Sequence, residues 1–184
     1  MTRIYTRTGD EGKTGLVAGE RISKASLRVG AYGAVDELNA LLGVVRTVNP
    51  EAELGTLLAR LQEELFVLGG DLATPRSSPS PDTPRIEASH VKALEETIDH
   101  YQAQIPPWRL FVLPGGCPLA AYLHYARAVC RRAERCVVAL AETEEVGPHV
   151  VPYLNRLSDL LFVLARWANR QAGVEEQEWE GKGR

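Results

Sequence analysis

Two apolar stripes in the second half of the chain repeat with heptad spacing. The first is Leu119, Leu123, Ala126, Cys130, Ala133, Val137 and Leu140, in steps of 4, 3, 4, 3, 4 and 3. The second is Val150, Leu154, Leu157, Leu161, Leu164 and Ala168, stepping 4, 3, 4, 3 and 4. A helix places such residues on one face, whereas a strand, with its period of two, would scatter them over both of its faces. The connection between the stripes is short and carries Gly147-Pro148. The two helices must therefore be antiparallel neighbours with nearly parallel axes. Pro118 stands at the first helical position of one, and Gly173 stops the other.

The first half of the chain follows the same period. Leu27, Ala31, Val35, Leu38, Leu42 and Val45 step by three or four, as do Leu54, Leu57 or Leu58, Leu61, Leu65 and Leu68. Asn49-Pro50 predicts a cap followed by the first residue of the second helix, and Gly69-Gly70 predicts its end. Residues 71–88 hold Pro75, Pro79, Pro81 and Pro84 and read as a long loop with no assigned role. Val91, Leu94, Ile98, Tyr101 and Ile105 predict a third helix from about Ser89, ended by Pro106-Pro107. The stretch LFVLPGGCP reads as a short apolar segment entering a tight turn. Residues 1–24 are too rich in Gly and Thr for a helix; they predict an extended arm with a short strand at Ile4–Thr6. VEEQEWEGKGR reads as a frayed tail. The expected fold is all-α: a five-helix bundle with ferritin-like up-down packing and an extended N-terminal arm. One domain spans 1–184, with the arm at 1–24, the bundle at 25–172 and the tail at 173–184. At 184 residues and 45% hydrophobic, the chain is long and apolar enough for one sizeable core.

A net charge of −3 argues against general nucleic-acid binding, which needs a basic footprint. No apolar run approaches the ~18 residues of a membrane span. The N-terminal MTRIYTRTGD lacks the apolar core of a secretory signal. Cys117, Cys130 and Cys136 are an odd number without C-x-x-C spacing, which disfavours both a zinc site and a disulfide framework. Cys130 lies on the apolar stripe and reads as packing. The four histidines show no H-x-x-x-H or H-E-x-x-H spacing and are read as structural. Together these features predict a reducing, cytoplasmic compartment.

Chemistry concentrates in HYARAVCRRAER. Residues three and four apart share a helix face, so Arg127, Arg131, Glu134 and Arg135 project as one band, with Arg132 beside it. One carboxylate cannot balance four guanidinium groups. An anion belongs there, and a polyphosphate suits the fork geometry of arginine. The N-terminal arm offers a second phosphate-like element. Thr6, Arg7, Thr8, Gly9, Thr14, Gly15 and Lys24 combine hydroxyls, cations and glycines that allow close backbone approach. It is not a Walker loop, because Arg7 stands where that motif requires Gly and no strand leads in. Asp36, one step round from Val35 and Leu38, reads as an ordinary exposed acid or as a core-edge carboxylate that wants a partner, for which Arg127 is one candidate. Asn155 reads as a ligand contact or as a hydrogen-bonded amide at the core edge. A lone Phe111 reads as core packing.

In order, TRTGDEGKTGL, Lys24, RVGAYGAVDELNALLG, FVLPGG, HYARAVCRRAER and YLNRLSDLLFVLARWAN resemble the PduO-type ATP:cob(I)alamin adenosyltransferases, from about Thr6 to Asn169. The resemblance implies a five-helix bundle assembled as a homotrimer, with ATP between subunits. It implies transfer of the 5′-deoxyadenosyl group of ATP to cob(I)alamin, giving adenosylcobalamin and triphosphate, with Mg²⁺ carried mainly by the ATP phosphates. Matched to the family's motifs, Thr6, Arg7, Thr8, Gly9, Thr14, Gly15, Lys24, Arg131, Arg132, Ala133, Glu134, Arg135 and Asn155 would bind ATP. Some relatives carry two hydroxyl residues where Thr14-Gly15 stands, so Gly15 would act through its backbone alone. Asp36 and Arg127 would form a salt bridge between subunits beside the corrinoid. Phe111 would displace the corrinoid's lower ligand and, with Arg131, carry the catalysis. A cobalamin reductase and a B12-dependent enzyme are the protein partners such chemistry calls for. Two other readings are weighed against this one: another nucleotide-dependent transferase or ATPase on the same bundle, and a corrinoid- or ATP-binding carrier without turnover.

Overall fold

The computed structural model describes residues 3–17, 19–77, 82–107, 111–179 and 181. Pro79, Pro81, Leu110 and the end of the tail, which figured in the sequence reading, lie outside the described residues. Five helices carry the fold: α1 (Leu27–Thr47), α2 (Ala52–Ala73), α3 (Ala88–Gln102), α4 (Pro118–Ala141) and α5 (Val150–Gln171). α4 packs along α5 and α1; α2 packs on α1, and α3 on α5. Arg60 of α2 donates to the Thr97 hydroxyl of α3 at 3.3 Å, where those two helices adjoin. Both heptad stripes face inward. Leu123, Ala126, Cys130, Ala133, Val137 and Leu140 meet Leu154, Leu157, Leu161 and Leu164, all fully buried. Truncating one such leucine to alanine typically costs about 2–5 kcal/mol.

The helix ends depart from the simplest sequence rules. Ser26 caps α1, its hydroxyl accepting from Val29 N at 3.4 Å. Asn49 does not cap α2: its Oδ1 accepts from Glu51 N at 3.1 Å, closing a local turn, and the helix starts at Ala52. Asparagine favours this competing bond two residues on. Nor do Gly69 and Gly70 stop α2, which runs on to Ala73. Two helical glycines cost about 1 kcal/mol each relative to alanine, and burial of Leu68 and Leu72 offsets that. Asp71, 4% exposed, then anchors the loop that follows. Its Oδ1 accepts from Arg85 Nη1 at 2.7 Å, and its Oδ2 from Ile86 N at 3.0 Å.

Two small antiparallel ribbons complete the fold. β1 (Lys13–Gly15) pairs with β2 (Arg21–Ser23), so the arm's strand is a hairpin at 13–23 and not Ile4–Thr6, which is exposed and unpaired among the described residues. β3 (Phe111–Val112) pairs with β4 (Glu178–Trp179). The tail expected to fray thus returns to the bundle: Val174 N donates to Asn169 O at 2.9 Å, and Leu113 N to Gln177 O at 2.8 Å.

Candidate functional site

The arginine band of α4 is as uneven as its neighbours make it. Arg132 forms an ion pair with Glu37 of α1. The hydrogen bond from Arg132 holds the Glu37 carboxyl below its usual range. Arg131 and Arg135 are exposed, and Arg127 is half-buried. Among the described residues these three form no ion pair, so the positive stripe is left unneutralised. Burial, and then the Arg131 charge, lower the Arg127 pKa, and its Nε is buried without a hydrogen-bond partner. Ala133 lies fully inside the core, so its methyl does not face the stripe.

α5 lies against this stripe and contributes Asn155. Its Nδ2 donates to Glu134 Oε1 at 3.2 Å, and its Oδ1 accepts from Arg156 Nη1 at 2.7 Å. Asp159, one turn on, is exposed at the same seam. Its carboxyl pKa is raised by partial burial against the opposing pull of Arg156 and Arg131.

The arm folds as a unit of its own. The Thr6 and Thr8 hydroxyls are 2.9 Å apart, Arg21 donates to Thr8 O, and Lys24 N donates to Gly12 O at 2.8 Å. A Cβ at Gly9 would lie 3.1 Å from Lys24 Nζ, so the ammonium sits directly over that glycine. Arg7 holds a left-handed backbone, φ 61°, which non-glycine residues seldom adopt. Thr14 and Gly15 lie on β1. No hydrogen bond or ion pair joins the arm to the arginine stripe among the described residues. A cavity of about 320 Å³ lies beside the stripe where Ala25, Ser26 and Leu27, just past the arm, adjoin Arg132, Arg135 and Cys136.

At the far end of the bundle, Phe111 is 78% exposed, contrary to its reading as core packing. It stands opposite Trp179 on the β3–β4 ribbon, ring centroids 6.5 Å apart. The turn behind it is pinned by buried Asn169, which accepts from Cys117 N at 2.9 Å and donates to Gly115 O at 3.1 Å. Gly116, φ 104°, leaves no room for a side chain against that amide. Asp36 is exposed on α1, as an ordinary surface acid would be, and within one chain it does not pair with Arg127.

A family model described as cobalamin adenosyltransferase matches residues 4–168. The chain belongs to the cobalamin adenosyltransferase family. The corrinoid adenosyltransferase of Mycobacterium leprae is 47% identical over 176 residues, which cover 92% of each protein. That of Bacillus subtilis is 46% identical over 184 residues, covering 97% of this chain and 92% of the relative. The corrinoid adenosyltransferase PduO of Salmonella typhimurium is 45% identical over 163 residues, 89% of this chain and 48% of the relative. A variant PduO-type ATP:corrinoid adenosyltransferase from Lactobacillus reuteri, solved in complex with cobalamin and ATP, superposes with a TM-score of 0.94 at 36% identity. The match covers 97% of both chains. This member of the cobalamin adenosyltransferase family is thus an enzyme, and its activity is ATP-dependent adenosylation of a corrinoid.

Several residues of this adenosyltransferase escape a reading by spacing. Glu37 and Glu95 are ordinary surface acids in sequence, yet they pair with Arg132 and Arg156. Trp179 left one signal, an aromatic residue in the acidic run EEQEWE. Among the described residues no group of three or more His, Cys, Asp or Glu side chains could hold a metal ion, and no helix is long and apolar enough to cross a membrane.

Proposed function

We propose that the chain transfers the 5′-deoxyadenosyl group of ATP to cob(I)alamin, releasing adenosylcobalamin and triphosphate. The observation that carries this reading is the row Arg127, Arg131 and Arg135, without carboxylate partners among the described residues, beside the held amide of Asn155. Cob(I) is itself the nucleophile, so no general base is required. Its lone pair forms the cobalt–carbon bond at C5′ while the C5′–O5′ bond breaks, and triphosphate leaves with that electron pair. Guanidinium groups already in place stabilise the charge that develops on the leaving group. Arg131 and Arg135 of α4, Asn155 of α5, and the arm residues Thr6, Arg7, Thr8, Gly9, Thr14, Gly15 and Lys24 hold the nucleotide. Mg²⁺ would arrive on the phosphates, where it adds further charge neutralisation.

The separation of arm from stripe within one chain supports a site completed between copies, as does the unpartnered Nε of Arg127. In that arrangement, a homotrimer, the arm of one protomer reaches the stripe of the next, and Asp36 of one meets Arg127 of the other. Exposed Phe111 faces the corrinoid's lower side, replaces its axial ligand and eases reduction of Co(II) by a separate reductase. The adenosylated product then passes to a B12-dependent enzyme. The test is an anaerobic reaction with ATP, Mg²⁺ and chemically reduced cobalamin, following the cobalt spectrum and the phosphate product together. Adenosylcobalamin with stoichiometric triphosphate is expected; release of ADP or orthophosphate instead would overturn the proposal.

A further inference from the structure

Asn155 is gripped at both ends of its amide, and the grip extends through Arg156 to α3. Neighbouring helix residues diverge by about 100°, so Arg156 does not share the face of Asn155 that meets α4. Its side chain bends back nonetheless. Arg156 Nη1 donates to Asn155 Oδ1 at 2.7 Å, while Nε of the same guanidinium donates to Glu95 Oε1 at 2.8 Å. One rigid fork therefore ties a carboxylate of α3 to an amide of α5, and Glu134 of α4 closes the chain by accepting from Asn155 Nδ2 at 3.2 Å.

This chain of contacts determines which way the amide points. A primary amide has two N–H donors on one side and a carbonyl acceptor on the other. Turned over, Asn155 would aim its NH₂ at the Arg156 cation and its oxygen at the Glu134 carboxylate, two repulsive contacts in place of two charge-assisted bonds. In the orientation observed, the second Nδ2–H is committed to neither neighbour.

We propose that Arg156, steadied by Glu95, is a positioning residue for nucleotide binding: it locks the Asn155 amide so that its free N–H meets an acceptor oxygen of ATP. The proposal rests on the reading of Asn155 as a nucleotide contact. The Arg156 and Glu95 side chains are 39% and 49% exposed, so their ion pair contributes little to the fold. Their removal should disturb orientation rather than stability.

The experiment is steady-state kinetics on the whole chain with ATP and reduced cobalamin, with thermal unfolding measured alongside. Arg156→Ala is expected to raise KM for ATP about tenfold, the scale of one hydrogen bond to a charged group. KM for cobalamin and the unfolding temperature should stay unchanged. Arg156→Lys should behave like Arg156→Ala, because a single ammonium cannot span both partners. Glu95→Ala should raise KM for ATP about two- to threefold, and Glu95→Gln, which keeps an acceptor, less. In an Asn155→Ala background the Arg156→Ala effect should vanish, since the residue acts through that amide. An undiminished effect in that background, or an equal rise in KM for cobalamin, would overturn the proposal. If Asn155→Ala raises KM for ATP while Arg156→Ala does not, the relay fails and the site stands. If Asn155→Ala leaves KM for ATP unchanged, the nucleotide contact itself is wrong and the relay falls with it.

Discussion

At the scale of single residues, the site is built from side chains that cost the fold little to lose. Arg131 is exposed and carries no ion pair among the described residues. Arg131→Ala should therefore lower the rate of adenosyl transfer about 10²–10³-fold, the usual cost of one lost transition-state donor, while far-ultraviolet circular dichroism is unchanged. Phe111, 78% exposed, has little packing to lose beyond the Trp179 ring. Phe111→Ala should impair turnover started from Co(II) more than turnover started from Co(I); equal losses in the two assays would remove its proposed role at the axial face. The arginine band could be read from the sequence because residues three and four apart must share a helix face. Which of those arginines is already neutralised could not. Glu37 lies 95 residues before Arg132 in the chain and is beside it only because α1 packs on α4.

At the scale of elements, α4 carries both the charge of the site and a buried base that the chemistry does not use. His124 is 3% exposed, with neither ring nitrogen hydrogen-bonded. Burial, and then the Arg127 charge, hold its imidazole down to about 4 from an ordinary 6.5. Between those values the unfolded chain binds a proton that the folded chain refuses. Stability therefore rises with pH through this window and levels off above 6.5. Acidification from 6.5 to 4 should cost up to about 3 kcal/mol through this one group. Urea unfolding of the parent and of His124→Gln across that range checks it: the stability of the parent relative to the variant should rise as the pH goes from 4 to 6.5. The ribbon between Phe111 and Trp179 makes a second prediction. Trp179→Ala should leave the bundle's unfolding temperature within a few degrees, because both rings are mostly exposed. If the ribbon holds Phe111 in place, the same substitution should weaken the Co(II)-started reaction. Helix existence was legible throughout from the 3.6-residue period. Helix ends were less so: α2 passes through Gly69-Gly70 because Leu72 buries beyond them, and Asn49 spends its side chain on a local turn.

At the scale of the whole molecule, one chain holds the parts of the site without joining them. The arm folds on itself, the guanidinium stripe faces outward, and Asp36 and Arg127 stay apart. If copies complete the site, sedimentation should show a trimer. Asp36→Arg should then reduce activity with cobalamin well before it affects unfolding of the bundle, and the exchange Asp36→Arg with Arg127→Asp should restore part of what either change loses. Failure of the exchange to restore anything, with each protein folded, would separate these two residues. Heptad stripes, Gly–Pro breaks and clustered arginines act within a turn or two of the backbone, so the chain's order alone determined five helices, their antiparallel pairing and a polyanion-seeking face. Contacts such as Glu37 with Arg132, Asn155 between Glu134 and Arg156, and Trp179 against Phe111 join residues 21 to 95 positions apart, or rest on such a join. Only packing decides them, because what brings these groups together is the burial of other residues.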